Sequence, residues 1–269
     1  MLFKPQQHLL IGMIHLGPLF SKRSSSTLDE VEAKAVQEAL LLAEAGFDAI
    51  MIENFGDTPF YPNRVPTHTV AAMTRICTSI QHAFRHKNRV CPKLGVNVLR
   101  NDAHSALAIA AAVDAALVRV NVHSGTMITD QGLIQGEAHE TCRYRDQMAP
   151  NCSIFADLRV KHAAPLIQRP LLEEAKELWE RADADAIILT GTQTGATCDL
   201  EPLQRLKDKL PECPLVVGSG VTPEQLPQLL PLASGLIVGT WLKVDSKVHN
   251  PIDSKRAHQI VEQVRKYAG

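Results

Sequence analysis

The sequence predicts an α/β fold, a single-domain (β/α)8 TIM barrel, and three observations carry that prediction. About eight short apolar runs recur along the chain: LLIGMIH, DAIMIEN, KLGVNVL, ALVRVNVH, CSIFADL, DAIILT, PLVVGSG and GLIVGTW. Each is followed by a stretch with helical periodicity, the strand-then-helix order that builds a parallel sheet. The chain has 269 residues, close to the roughly 250 that eight such units occupy. Such barrels place their chemistry at the C-terminal ends of the strands. The polar residues that close each run therefore form a candidate site.

The strands are expected near 9–14, 48–53, 93–99, 116–122, 152–158, 185–190, 214–218 and 235–239. After the first comes a Ser-rich turn, Ser24-Ser25-Ser26, and then Thr27 with Glu30 at capping-box spacing. The helix opened there carries Val31, Ala35, Ala39 and Leu42 at helical intervals and stops at Gly46. A turn-rich segment around Gly56-Asp57-Thr58-Pro59 follows strand two, with a helix from about Thr67. Another helix starts at Asp102 after strand three. Strand four leads into the longest polar connection, HSGTMITDQGLIQGEAHE, which reads either as a lid or as a plain link to a helix ending near Met148. A last helix runs from about Asp253 to Tyr267, and no linker or low-complexity tract divides the chain.

Composition narrows the function classes. Lys and Arg total 28 against 29 Asp and Glu, so no basic field recruits nucleic acid. Apolar residues make up 45% and aromatics 4%, which points to a core of Ala, Val, Ile and Leu. Six scattered cysteines without C-x-x-C spacing read as free thiols in a reducing compartment. No transmembrane segment and no signal peptide are read from the chain, so a cytoplasmic protein is expected.

Strand parity selects the side chains that face the barrel mouth, because helix-facing positions must be apolar. Ile50 and Ile52 face the helices, turning Glu53 inward. The same reasoning places Asn97, Arg119, Asn121, His123 and Asp157 inside, with His15 and Thr190 at the tips of strands one and six. Barrels also bury ion pairs that only stabilise, and any one of these residues could do that. The whole set is too polar to be buried without a ligand or water. Glu53 and Asp157 read as the general acid and base. His15 and His123 read as proton shuttles, and Lys161, past strand five, ranks behind Asp157. Asp157→Asn is expected to abolish turnover and spare the fold.

Strands seven and eight end in glycine: Gly218-Ser219-Gly220, followed by Thr222-Pro223, and Gly239-Thr240. Loops in these two places commonly hold a phosphate through backbone N–H groups and a helix N-terminus. Thr222 suits an N-cap and Pro223 the first helical position. The anion site is expected here.

Six strings, IGMIHLGPL, AGFDAIMIENFGDTPF, LGVNVLRND, VRVNVHSGTMITDQGLIQGEAHET, ADLRVKHAAP and VVGSGVT, with IVGTWLK near the end, closely resemble the BtpA family over nearly the whole chain. The resemblance implies a ribulose-phosphate-binding barrel. It also implies mouth positions for His15, Glu53, Asn54, Asp57, Asn97, Arg100, Asn101, Asp102, Asn121, His123, Asp130, Asp157, Lys161 and His162. The family takes its name from a cyanobacterial member tied to photosystem I, so it constrains fold better than activity. The loop FSKRSSS departs from the family's Gly/Pro-rich segment.

The expectation is therefore an enzyme using acid–base chemistry on a small phosphorylated, sugar- or ribosyl-phosphate-like metabolite, as an isomerase, lyase or sugar hydrolase. Asn97, Arg119, Asn121, Asp130 and Thr190 would bind substrate. No dedicated metal site is read, and no cofactor is certain; a divalent metal held by Glu53, Asp157 and the histidines, in a metal-dependent hydrolase, is one alternative. The other is a non-catalytic assembly factor for a membrane complex, which should show an exposed apolar or basic patch, and none is read from the sequence. Self-association into a homo-oligomer is the default for such barrels.

Overall fold

Eight of the apolar runs pair in parallel and close on themselves, so that the barrel sheet has no open edge. The computed structural model describes residues 2, 3, 7–20, 26–190 and 199–268. The Ser24-Ser25 turn, most of FSKRSSS, the loop 191–195 and Cys198 lie outside them. In chain order the strands and helices are β1 (Leu9–His15), α1 (Leu28–Ala45), β2 (Ala49–Glu53), α2 (Thr67–His86), β3 (Lys93–Asn97), α3 (Ala103–Val113), β4 (Leu117–Val120), β5 (Thr126–Thr129), β6 (Gly132–Gln135), α4 (Ala138–Met148), β7 (Ser153–Asp157), β8 (Ala163–Pro165), α5 (Leu171–Lys176), β9 (Ala186–Leu189), α6 (Leu200–Lys209), β10 (Leu215–Val217), α7 (Leu226–Leu229), β11 (Gly235–Val238) and α8 (Ser254–Ala268). The barrel order is β1-β2-β3-β4-β7-β9-β10-β11, closing on β1.

Two apolar layers hold it together. Inside the barrel, Leu9, Ile11, Met13, Ala49, Met51, Leu117, Phe155, Ala186, Ile188, Val216 and Ile237 form one buried cluster. Phe3 stacks on Phe155 with ring centroids 5.5 Å apart. Between barrel and helices lies the larger cluster, to which Ile50, Ile52, Val96, Val118, Val120, Ile154 and Ala156 contribute the opposite parity. Strand alternation thus sorts the side chains as the sequence pattern requires.

Local signals set the helix ends. Thr27 accepts from the Glu30 N–H while the Glu30 carboxylate accepts from the Thr27 N–H, a complete capping box. Gly46 ends α1 at φ 99°, a conformation only glycine adopts freely. Asp102 caps α3 through the Ser105 N–H. Thr222 holds the N-cap position and Pro223 the first helical position, as expected. The Thr222 side chain makes no capping bond, and Pro223–Gln225 is a single 3₁₀ turn leading into the four-residue α7.

The long connection after β4 becomes an antiparallel hairpin, β5 with β6, and β8 adds to it through Met127↔Pro165 and Thr129↔Ala163. Its inner face carries Met127 and Ile134, which pack with Val122 and Val160. Its outer face leaves Ile128 and Leu133 exposed, and Leu166 and Ile167 follow just beyond β8.

Candidate functional site

Barrel register sets four polar groups at one level. His15 pairs with Glu53, Glu53 with Asn97, and Asn97 with Arg119, on four consecutive strands. They lie above the apolar interior because the interior-parity residues below them are Met13, Met51, Gly95 and Leu117. Over this level opens a cavity of about 420 Å³. His15, Glu53, Arg100, Arg119, Asn121, Lys161 and His162 line one part, and Gly218, Ser219, Gly220, Thr222, Gly239, Thr240 and Trp241 another. Phe55 and Phe60 close its side, with the Phe55 ring edge-on to His15 at 5.0 Å.

The charged groups divide into paired and unpaired. Asp157 accepts from Arg119 Nε at 3.1 Å and Nη2 at 3.0 Å, and from Asn121 Nδ2 at 2.7 Å. It lies behind Arg119 and Asn121 rather than on the cavity wall. Asn97 donates to the Arg119 carbonyl and to Asn121 Oδ1, both at 3.1 Å, while its own Oδ1 has no partner. Glu53 makes no hydrogen bond to a described residue, and its nearest charged contact is His15 Nε2 at 4.0 Å. That contact is not an ion pair near neutrality, because burial, with Lys243 and Arg119 adding, pushes the His15 imidazole down to about 3. Burial also raises the Glu53 carboxyl above its ordinary range, reinforced by Asp157 and opposed by Arg119.

Of the three Lys and Arg side chains that line the cavity, Arg119 is paired with Asp157, while Arg100 and Lys161 have no carboxylate within ion-pair distance among the described residues. Arg100 donates to the Lys161 carbonyl and so fixes the backbone there. Burial and the neighbouring Arg119 lower the Lys161 amine to about 8. The glycine wall adds neutral donors. The N–H groups of Ser219, Gly220, Thr240 and Trp241 meet no described backbone acceptor, and Ser219 is itself a buried residue. Gly220 turns at φ 68°. With Arg119 matched by Asp157, the balance of the mouth is positive.

Other positions from the sequence reading have structural partners or lie elsewhere. Asn54 accepts from the Leu99 N–H at 2.7 Å and reaches Asp57, which accepts from the Leu19 N–H at 2.9 Å. Asn101 exchanges two bonds with the Val122 backbone, and Asp102 receives Arg64 and the Val65 N–H besides its cap. These four brace the loops around the mouth. His123 is corrected: it bonds the Ala182 carbonyl through Nε2 at 2.8 Å beside Cys142, away from the cavity. Thr190 donates to the Arg159 carbonyl outside the mouth. His123 lies three residues past the end of β4 and Thr190 one past the end of β9, where no strand pairing enforces alternation. Asp130 is exposed at the tip of the hairpin.

Sequence reasoning missed Phe55, Trp241 and the unpaired state of Lys161, since loop burial has no periodic signal. It also missed Lys243, which is fully buried in the helix layer with its Nζ 2.9 and 2.8 Å from the two Glu38 oxygens. Glu38 additionally accepts from the Ile252 N–H at 3.2 Å. This pair ties the segment after β11, with Thr240 and Trp241, to α1. Among the described residues no three His, Cys, Asp or Glu side chains converge as a metal cage. No described helix is long and apolar enough to cross a membrane.

Comparison with known proteins gives three kinds of match. The model of the BtpA family matches residues 6–266. A protein of Synechocystis named Photosystem I biogenesis protein BtpA is 43% identical, over 94% of this chain and 86% of its own. An uncharacterised protein of Thermococcus kodakarensis is also 43% identical, over 94% of each chain. Among solved structures, phosphoribosyl anthranilate isomerase from Thermus thermophilus aligns with a TM-score of 0.56 at 11% identity, over 96% of this chain and 98% of that one. KGPDC from Streptococcus mutans in complex with D-R5P aligns at 0.59 with 12% identity, over 97% and 100%. At such identities the structures share the barrel fold.

Proposed function

The chain belongs to the BtpA family, and from that premise we propose that its barrel mouth is the active site of an enzyme acting by acid–base chemistry on a small phosphorylated metabolite of sugar- or ribosyl-phosphate type. One observation carries the reading. A single cavity faces Glu53 and Lys161, neither with a hydrogen-bond partner among the described residues, toward the two glycine-bearing strand ends. The phosphate takes the free N–H groups of residues 219–220 and 240–241 and the hydroxyls of Ser219 and Thr240, with Arg100 supplying charge. Glu53, protonated more readily than an ordinary carboxyl, serves as acid, and Lys161 as base or nucleophile. Arg119, Asn121 and Asn97 orient hydroxyls, and Asp157 holds Arg119 in place. The isomerase fold neighbour and the neighbour in complex with D-R5P are consistent with this choice of ligand.

A thermal-shift panel tests it, with each sugar phosphate and ribonucleotide beside its dephosphorylated partner. A ligand at a hundred times its dissociation constant adds about 2.7 kcal/mol. Stabilisation by the phosphorylated members alone is the expected result. Silence from every pair removes the reading.

A second reading has one structural observation behind it. Ile128, Leu133, Leu166 and Ile167 are exposed near one another on the hairpin sheet, the kind of apolar patch an assembly factor would use. The name of the Synechocystis relative points the same way. Membrane co-sedimentation lost in Leu133→Glu, with ligand stabilisation intact, would favour it.

A further inference from the structure

We propose that Lys161 is a catalytic nucleophile whose amine condenses with the carbonyl carbon of an open-chain phosphorylated aldose or ketose; this rests on the reading above that the mouth takes a phosphorylated metabolite. The cations of the mouth differ in what they are free to do. Arg119 is spent on Asp157, and guanidinium groups do not deprotonate. Lys161 makes no hydrogen bond or ion pair to a described residue, faces the cavity, and has its backbone anchored by Arg100. An amine that forms no internal salt bridge in a half-buried position is free to act as a nucleophile. Its amine, held down to about 8 by burial and Arg119, carries an appreciable neutral fraction at pH 7.5.

The acid that the condensation needs is also present. His15, pushed down to about 3, holds no proton to give. Asp157 is committed to three donors. Glu53 remains, lining the same cavity with its carboxyl protonated more readily than usual. The Lys161 Nζ lone pair forms the new C–N bond while the carbonyl π pair moves to oxygen. A proton passes from nitrogen to that oxygen, and the resulting hydroxyl departs as water with the Glu53 proton. One amine, one carbonyl and one proton thus become one protonated imine and one water, leaving Glu53 as a carboxylate. The imine then accepts the electron pair of a bond broken at the adjacent carbon, and the Glu53 carboxylate takes the proton of a C–H bond broken there. No further co-reactant is required.

The test uses the whole chain with glycolaldehyde phosphate and glycolaldehyde, the smallest carbonyl pair with and without the ester. Sodium cyanoborohydride at pH 7.5 reduces any imine to a stable amine, and peptide mass mapping locates it. The expected result is modification of Lys161 at least tenfold faster than any other lysine, faster with the phosphate ester, and slowed by inorganic phosphate. Lys161→Met, checked for an unchanged melting profile, should lose that adduct and no other. If Lys161 reacts no faster than exposed lysines, while phosphate esters still raise the melting temperature, the imine is overturned and the proposed function stands. If Lys161 reacts fastest with both reagents equally and no phosphate ester stabilises the protein, the phosphorylated-metabolite reading fails instead, and the substrate assigned here with it.

Discussion

Asp157 and Arg119 form a two-pronged pair from β7 to β4, at 3.1 and 3.0 Å, with Asn121 closing on the same carboxylate at 2.7 Å. Both residues are buried. A carboxylate so engaged is a holder of Arg119 rather than a free base. The roles of the two inward carboxyl groups are therefore unequal, with Glu53 left to meet a ligand.

Asp157→Asn removes that counter-charge and leaves a buried guanidinium unmatched. Breaking one side of a buried ion pair costs about 3–5 kcal/mol, so the variant should unfold at markedly lower urea. The sequence alone expects this substitution to spare the fold; the buried pair reverses that expectation. Wild-type urea stability in the variant would remove the structural role.

The barrel was legible because both of its codes are local. Period-two alternation put Ile50 and Ile52 on the helix side and Glu53 inside, and Thr27, Glu30 and Gly46 carry the ends of α1 in their own chemistry. The Gly218 and Gly239 strand ends were readable for the same reason. Lys161 reads only as a candidate behind Asp157, since its unpaired place in the cavity depends on residues distant in sequence, such as Arg100, which holds its carbonyl. Lys243 and Glu38 are 205 residues apart, and nothing in either local pattern announces the other. His123 and Thr190 were misplaced by extending alternation past the last strand residue.

Glu53 gives the stability a pH signature. Its folded pKa is raised by burial, so between its ordinary value of 4.5 and that raised value the folded state binds more protons than the unfolded one. Stability from this group is fully present below pH 4.5 and falls as pH rises through the folded pKa. Glu53→Gln keeps the shape without the charge. The melting temperature of the variant should exceed that of the wild type by a margin that widens from pH 4.5 upward, at about 2–4 °C per kcal/mol. A constant margin over that range would contradict the buried, unpartnered carboxyl.

His15 acts in the opposite direction. Its folded pKa is about 3 against an ordinary 6.5, so on acidification the unfolded chain takes up the proton first. Its contribution is present above pH 6.5 and lost as pH falls toward 3. His15→Gln should flatten that acid limb by a few kcal/mol, on the order of 1.4 per pKa unit, read from urea midpoints between pH 7 and 4. An acid limb identical to wild type would mean that the imidazole is not buried neutral.

The Glu38–Lys243 pair offers a double-mutant cycle. Glu38→Leu strands a fully buried ammonium, and about 3–5 kcal/mol should be lost. Lys243→Met strands a carboxylate that still keeps the Ile252 N–H, so its loss should be smaller. The double variant, apolar on both sides, should recover most of the stability, because pairs of this kind are often replaceable by apolar residues of similar volume. Additive losses in urea unfolding would show that the two side chains do not act as one unit.

The glycine wall can be separated into fold and binding by two substitutions. A Cβ at Gly218 would stand 2.5 Å from Ile188 Cγ2, in the barrel interior, and 3.2 Å from Thr190 Cγ2. Gly218→Ala should therefore overpack the core at a cost of about 1–3 kcal/mol. Ser219, next to it, is a buried residue that lines the cavity, and its hydroxyl bonds no described residue. Ser219→Ala removes no internal bond and should leave stability within about 0.5 kcal/mol. If the hydroxyl binds the phosphate, the same variant should weaken phosphate esters by about fivefold, the worth of roughly 1 kcal/mol for one hydrogen bond. Calorimetry of both variants with one phosphate ester decides the matter. Unchanged affinity in Ser219→Ala places the anion on backbone groups and Arg100 alone, and unchanged affinity in both variants moves it off this wall.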